Sequence, residues 1–264
     1  MRPITDILHD GMWKGRAAFV VGSGPSLKGF DFTLLRPSYT IGCNEEYTWG
    51  PSIAFCQDPR IFAGDGIPGR IAFKDDPRWA HGPFVPVYFK GHPDRIDYPG
   101  VPDSVFQAET AHSQKTPFAW GTSLATGLYY GANAGMAALN LAEILGASPI
   151  HLLGFDARAT DGRTHHHDRY PVDWTLDKLV DKEHVYGRWI KEFRRIKPYV
   201  KAEVLNLNPA SGIDAFPRVC PVRTMLELMT ADMQPVFDGL SVLNAWRGTA
   251  HGPDFHMKDE CRSD

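Results

Sequence analysis

The residues able to do chemistry in this 264-residue chain fall into a few short clusters. The first is Gly22-Ser23-Gly24-Pro25-Ser26-Leu27. Glycines let a backbone approach an anion closely, and a helix beginning just after them offers free N–H groups. Pro25 suits a helix entry and Ser26 can cap it. The bland alternative is a tight strand-to-helix turn that binds nothing. Two familiar phosphate fingerprints are missing. Leu27 stands where GxGxxG needs its third glycine, and no Gly-Lys-Ser/Thr follows. Asn44 is placed to donate to a phosphate or ribose oxygen. Glu45 and Glu46 lie about where a ribose-binding acid would sit, which keeps an NAD reading weakly open.

The second cluster is Gly154-Phe155-Asp156, followed by Asp161-Gly162-Arg163-Thr164-His165-His166-His167-Asp168. Asp156 can bind a ribose or base, hold a metal, or cap the next segment. Three consecutive histidines suggest a metal, but adjacent residues rarely all ligate one ion. No HExxH or cysteine pair supports zinc, so no metal ligand is assigned. General acid–base work suits a histidine better, because its pKa lies near neutrality. His165 is the first candidate and His167 the second, since alternate residues of an extended loop share a side. A solvated loop is the alternative. Asn206-Leu207-Asn208-Pro209-Ala210-Ser211 can complete a polar rim.

These clusters need strands to position them. Arg16–Gly22, Tyr39–Cys43, Ser52–Cys56, Pro149–Asp156 and Glu203–Leu207 are short apolar runs that read as strands. Strand, glycine loop, helix, strand predicts an α/β Rossmann-like fold, with a mostly parallel sheet and helices on both faces. The glycine loop and Gly154 should then share the carboxyl edge of the sheet. Helices are expected over Ser123–Leu145, Trp174–Lys197 and Val222–Met229, and a short helix or turn over Ser26–Leu35. Small residues at the start of Ser123–Leu145, including Gly127, Gly131, Ala132, Ala134 and Gly135, permit close approach of a strand or ligand. Residues 57–120 read as an irregular insert or lid, with Phe84–Phe89 as an edge strand because of its proline. The tail 246–264 reads as flexible. The whole chain is expected to form one domain.

Composition excludes little else. A net charge of -3 advertises no global basic field for nucleic acid. No apolar run reaches the roughly 18 residues of a membrane span. Met1–Gly15 lacks a signal pattern, and the four cysteines form no CxxC. Reduced thiols and a cytoplasmic location are therefore the expectation.

The clusters also follow a particular order: GSGPSL, Cys43-Asn44, Asn133-Ala134-Gly135 before an Ala-rich helix, LLGFD, a histidine-bearing loop, and LNLNPAS. That order resembles the bacterial sialyltransferases of glycosyltransferase family 42 and the DUF115 group. Archaeal members of the latter include a 6-hydroxymethylpterin diphosphokinase, and phage-encoded members look closer still. The resemblance spans roughly residues 17–217, with 60–120 unmatched. It implies that Gly22, Ser23, Gly24, Pro25, Ser26, Asn44, Asn133, Ala134, Gly135, Gly154 and Asp156 bind a nucleotide, and that a histidine beyond them is the base. Ser23 replaces the sialyltransferases' Asn, and Asn133-Ala134 replaces their Thr-Ser. Their histidine lies further past the strand than His165, so His184 competes for the role.

The resulting expectation is a nucleotide-dependent transferase, a glycosyltransferase using a nucleotide-sugar donor and requiring no cofactor. Its partners would be that donor and an acceptor glycan or other hydroxyl compound, modified DNA included. The alternatives are an ATP- and Mg²⁺-dependent diphosphokinase with Asp58 and Asp156 as metal ligands, or a non-catalytic nucleotide-binding protein.

Overall fold

The computed structural model describes residues 2–35, 38–58, 60–63, 85–89, 105–111, 119–131, 133–168 and 179–221. The expected helix Val222–Met229 and the tail 246–264 lie outside these residues, as does most of the 57–120 insert.

Eight parallel strands form one sheet, in the order β1-β6-β5-β4-β3-β2-β7-β8. They are β1 (Arg2–Pro3), β2 (Ala18–Val21), β3 (Tyr39–Cys43), β4 (Ile53–Cys56), β5 (Val85–Phe89), β6 (Phe106–Ala108), β7 (Ile150–Leu153) and β8 (Val204–Asn206). The central strands β2, β4 and β7 are buried along their whole length, as short apolar runs covered on both faces must be. The α/β Rossmann-like class is thus the observed one. The chain winds outward from β2 through β3 and β4 and returns to place β7 on the other side of β2. This reversal opens a crevice at the carboxyl ends of β2 and β7, where such sheets bind ligands.

Three helices are described: α1 (Arg60–Ala63), α2 (Ala134–Ile144) and α3 (Leu179–Ile196). Helix α2 is buried at every residue except Glu143, and its glycine and alanines leave room for it to lie close to the sheet. One core layer packs between α2 and the sheet. On the opposite face Phe19, Val21, Leu27, Phe30, Leu35, Leu153 and Leu207 form a second layer.

Of the two readings of Ser26–Leu35 the turn holds, as two 3-10 turns, Pro25–Leu27 and Phe32–Leu35. Gly29 at φ +77° breaks the path, and Asp31 draws the Thr33 amide to its own carboxylate. The helix expected from Ser123 starts only at Ala134. The segment before it is pinned instead by the fully buried Asn140, which accepts from the amides of Gly121 and Tyr129 and donates to the Gly121 carbonyl. A bridge from Thr110 to Leu128 holds the same segment out of a helix. Helix α3 falls inside the expected Trp174–Lys197, whose first five residues lie outside the described ones.

The proline-bearing run is not an edge strand. It is β5, inside the sheet between β4 and β6, with Pro86 opposite Ala54. A parallel strand aims successive N–H groups at alternate neighbours, so one proline removes one ladder bond on one side only. The insert 57–120 therefore contributes α1, β5 and β6 to the fold. Cys43 and Cys56 are free and buried. Cys220 is disulfide-bonded, which corrects the expectation of four thiols.

Candidate functional site

Two strand ends interlock to build the site. After β2, the Gly22 amide donates to the Leu153 carbonyl at 2.8 Å and the Gly24 amide to the Gly154 carbonyl at 2.9 Å. Gly154 turns at φ +73°, and a Cβ there would lie 2.6 Å from the Gly22 carbonyl oxygen. A Cβ on Gly24 would fall on the Asp156 carboxylate and the Gly154 carbonyl. The glycines are thus required by the fit of one loop against the other.

Asp156 locks that fit. It accepts from the Ser26 amide at 2.7 Å, the Ser26 hydroxyl at 2.6 Å and the Asn208 side chain at 3.0 Å. Burial holds its carboxyl above the usual range, against the opposing pull of these donors. The expected cap of the next segment is not what the geometry shows: Asp156 instead satisfies the start of the 3-10 turn that follows the glycines, 130 residues earlier.

This arrangement overturns one expectation. The amides of Gly22, Gly24 and Ser26 all donate inside the protein, and only a three-residue turn follows them. They are not a free phosphate cradle. The first turn of α2 also lines this region, and first-turn amides have no partner within their own helix. Asn133 caps α2, accepting the Met136 amide at 3.1 Å. A Cβ on Gly135 would strike the Phe155 ring, so glycine is needed for that ring to pack beneath the helix start.

These pieces surround one cavity of about 470 Å³, within the usual size of a small-molecule site. Gly22, Ser23, Gly24, Pro25, Asn44, Asn133, Ala134, Gly135, Gly154 and Asp156 line it, and so does His165. Ser26 is drawn back to Asp156 and is not part of the lining. Glu45 and Glu46 are also outside it and buried, which removes the ribose-acid role considered for them.

The histidine loop contributes Thr164 and His165 to the cavity wall. The His166 amide donates to the Ser23 carbonyl at 3.1 Å and ties the loop to the glycines. His165 Nδ1 is 2.9 Å from the Thr164 hydroxyl. His167 stacks beside His165 at 5.6 Å between ring centroids, while His166 turns away and meets Glu46 at 2.9 Å. So His165 reaches the cavity and His167 stands behind it. His184 lies on α3, and its side chain is outside the described ones.

Sequence reasoning missed one wall. Val185, Tyr186 and Trp189 of α3 line the cavity, with Phe155 and Cys43. Burial and the charge of Asp156 push the Tyr186 hydroxyl up to about 12, so it stays protonated as a donor. Burial, with Glu46 adding, raises the Cys43 thiol far above its usual range, which excludes a thiolate. The Trp189 indole nitrogen and the Asn44 side-chain oxygen are buried with no hydrogen-bond partner, although both residues line the cavity. A ligand acceptor and donor would satisfy them. The i, i+4 spacing of Val185 and Trp189 was the available signal, but the helix looked merely amphipathic and charged. No described helix is long and apolar enough to cross a membrane.

No family model matches the chain. No curated protein matches it. Among solved structures, a MAf glycosyltransferase from Magnetospirillum magneticum AMB-1 is similar at 15% identity and a TM-score of 0.41. The match covers 92% of this chain but 38% of that one, so this chain spans well under half of its length.

Proposed function

We propose that the chain is a nucleotide-dependent transferase that moves a sugar from a nucleotide-sugar donor to an acceptor hydroxyl. The observation that carries this reading is the convergence of the glycine loop, the α2 N-terminus, the Gly154 turn and His165 on one cavity at the reversal point of a parallel sheet.

In this reading the donor phosphate meets the first-turn amides of α2, and the base or ribose packs on the Trp189–Tyr186 wall. The acceptor oxygen attacks the anomeric carbon and the carbon–phosphate-oxygen bond breaks. The nucleotide leaves with the bonding electrons, stabilised by the helix amides. The acceptor proton passes to His165. That role needs the tautomer whose Nδ1–H donates to Thr164 Oγ1, so that Nε2 carries the accepting lone pair. All of these groups belong to the protein, so the transfer chemistry itself calls for no metal.

The diphosphokinase reading has less support. It asks Asp58 and Asp156 to hold Mg²⁺; both line the cavity, but both carboxylate oxygens of Asp156 already accept from Ser26 or Asn208.

The test is a thermal-shift panel of CMP, UDP, GDP, ATP and NAD, each with and without Mg²⁺. A nucleotide at a hundredfold excess over its Kd stabilises the fold by about 2.7 kcal/mol. One of the first three should raise the melting temperature without Mg²⁺. A shift by ATP alone, strictly dependent on Mg²⁺, would overturn the reading in favour of the diphosphokinase. No shift by any of the five would overturn nucleotide binding itself.

A further inference from the structure

Glu46, His166 and His167 form a cluster that the proposed transfer does not use. Glu46 comes from the 3-10 segment Asn44–Trp49 after β3, and the histidines come from the loop beyond β7. Each offers one ligand atom, and the three atoms lie within 4.8 Å of one another. We propose that this cluster binds one divalent transition-metal ion of the zinc class, with these three residues as its protein ligands and a fourth position left for water.

The donor set is the first argument. Two imidazoles and one carboxylate make a borderline-soft set that suits zinc and disfavours Mg²⁺ or Ca²⁺. Spacing is the second. Ligands about 2.0–2.2 Å from a tetrahedral ion stand roughly 3.3–3.6 Å apart. Glu46 Oε1 and His166 Nε2 are 2.9 Å apart, and the third atom is near enough that shifts of about an ångström close the set.

Charge is the third argument. Glu46 is only 1% exposed, and a buried carboxylate needs a compensating cation. Among the described residues no lysine or arginine pairs with it. His166 compensates only when protonated. A divalent ion would neutralise Glu46 and leave both imidazoles neutral.

The surroundings already orient the ligands. Trp49 Nε1 donates to Glu46 Oε2 at 3.2 Å, which leaves Oε1 toward His166. The His166 backbone is held by Ser23, and Phe32 covers its ring at 5.5 Å. The adjacency of His166 and His167 counted against a metal when only sequence spacing was considered. In the folded loop their rings approach to 4.9 Å between centroids at 80°, and the third ligand arrives from 120 residues away. An ion here would anchor the loop that presents His165 to the cavity. It would also assign His167 to the metal rather than to proton transfer.

The test uses the full chain without a histidine tag, stripped by a chelator and dialysed. Zn²⁺ alone is titrated in by calorimetry, and Co²⁺ is added to a second sample to read coordination from its visible spectrum. The expected result is one Zn²⁺ per chain and Co²⁺ bands of a four- or five-coordinate ion. Glu46→Gln and His167→Ala should each weaken Zn²⁺ binding by about tenfold or more. His165→Ala should leave it unchanged. Absence of saturable Zn²⁺ binding, an aqua-like six-coordinate Co²⁺ spectrum, or binding that survives both substitutions would overturn the proposal. If a variant does not fold, the wild-type Co²⁺ spectrum decides. No nucleotide is present, so failure here and failure of the donor-site reading are separate results.

Discussion

Replacing Asp156 with alanine separates a carboxylate that holds the site together from one that touches the ligand. In the structure it accepts three hydrogen bonds, two from Ser26 and one from Asn208. Alanine leaves those donors without their acceptor. Each buried unsatisfied donor costs about 1–3 kcal/mol, but the Ser26 hydroxyl can rotate and water can enter from the cavity, so the low end applies. Against this, the substitution removes a buried charge whose desolvation already lifts its pKa. The net expectation is a loss of about 2–3 kcal/mol. For a chain of this size that is a fall of about 4–12 °C in melting temperature. Asp156→Asn should cost about 1 kcal/mol, because one oxygen still accepts while its amide opposes the Ser26 N–H. The assay is thermal and urea unfolding of both variants, with nucleotide titration in parallel. Affinity should fall with stability, because the released loop forms part of the cavity wall. An alanine variant with wild-type unfolding and lost nucleotide affinity would refute the reasoning and make Asp156 a ligand contact.

Other substitutions read other parts of the site. His165→Ala should lower kcat by about 10²–10⁴-fold, leave nucleotide Kd nearly unchanged, and remove the limb of the pH–rate profile near neutrality; an unaltered kcat would dismiss His165 as the base. Gly24→Val should destabilise the fold as well as abolish nucleotide binding, because its side chain would collide with Asp156 and Gly154, so a stable variant that has lost only affinity would contradict the packing. Trp189→Phe should weaken nucleotide affinity roughly tenfold with little change in unfolding, as expected for one lost hydrogen bond to a ligand. Burial lowers the His151 pKa from 6.5 to about 4, so the unfolded chain binds the extra proton between those values and stability should fall by up to about 3 kcal/mol as pH drops through that window. Urea unfolding of wild type and His151→Leu from pH 7 to 4 checks this, and parallel pH dependences would exclude His151 as the cause.

Strand-level features were legible because buried parallel strands announce themselves as short apolar runs. Val20-Val21 and Leu152-Leu153 needed no partner information to be read, and their glycine ends located the cleft. Long-range features were not legible. Nothing local in Glu46 says that it will meet His166, and nothing in Pro86 says that β6, only three residues long, will form outside it. The run from Ser123 read as the start of a helix, yet a single buried side chain, Asn140, captured that segment's backbone instead.

The glycine loop lines the cavity, but its glycines have a nearer reason to be there. Their immediate work is to let the loop press against Gly154 and Asp156. Every amide freed by a glycine turn needs an acceptor, and here the neighbouring strand end supplies acceptors before any ligand arrives. In the proposed function the donor phosphate therefore falls to the first turn of α2, where Asn133 already takes the Met136 amide. A helix start can hold a phosphate only if no side chain stands between it and the ligand. The residues there are Ala134 and Gly135, behind an asparagine whose side-chain oxygen is occupied as a cap. The small residues at this position were read as room for close approach, and it is the α2 terminus, through Phe155 packed beneath Gly135, that joins the glycine loop to the rest of the cavity.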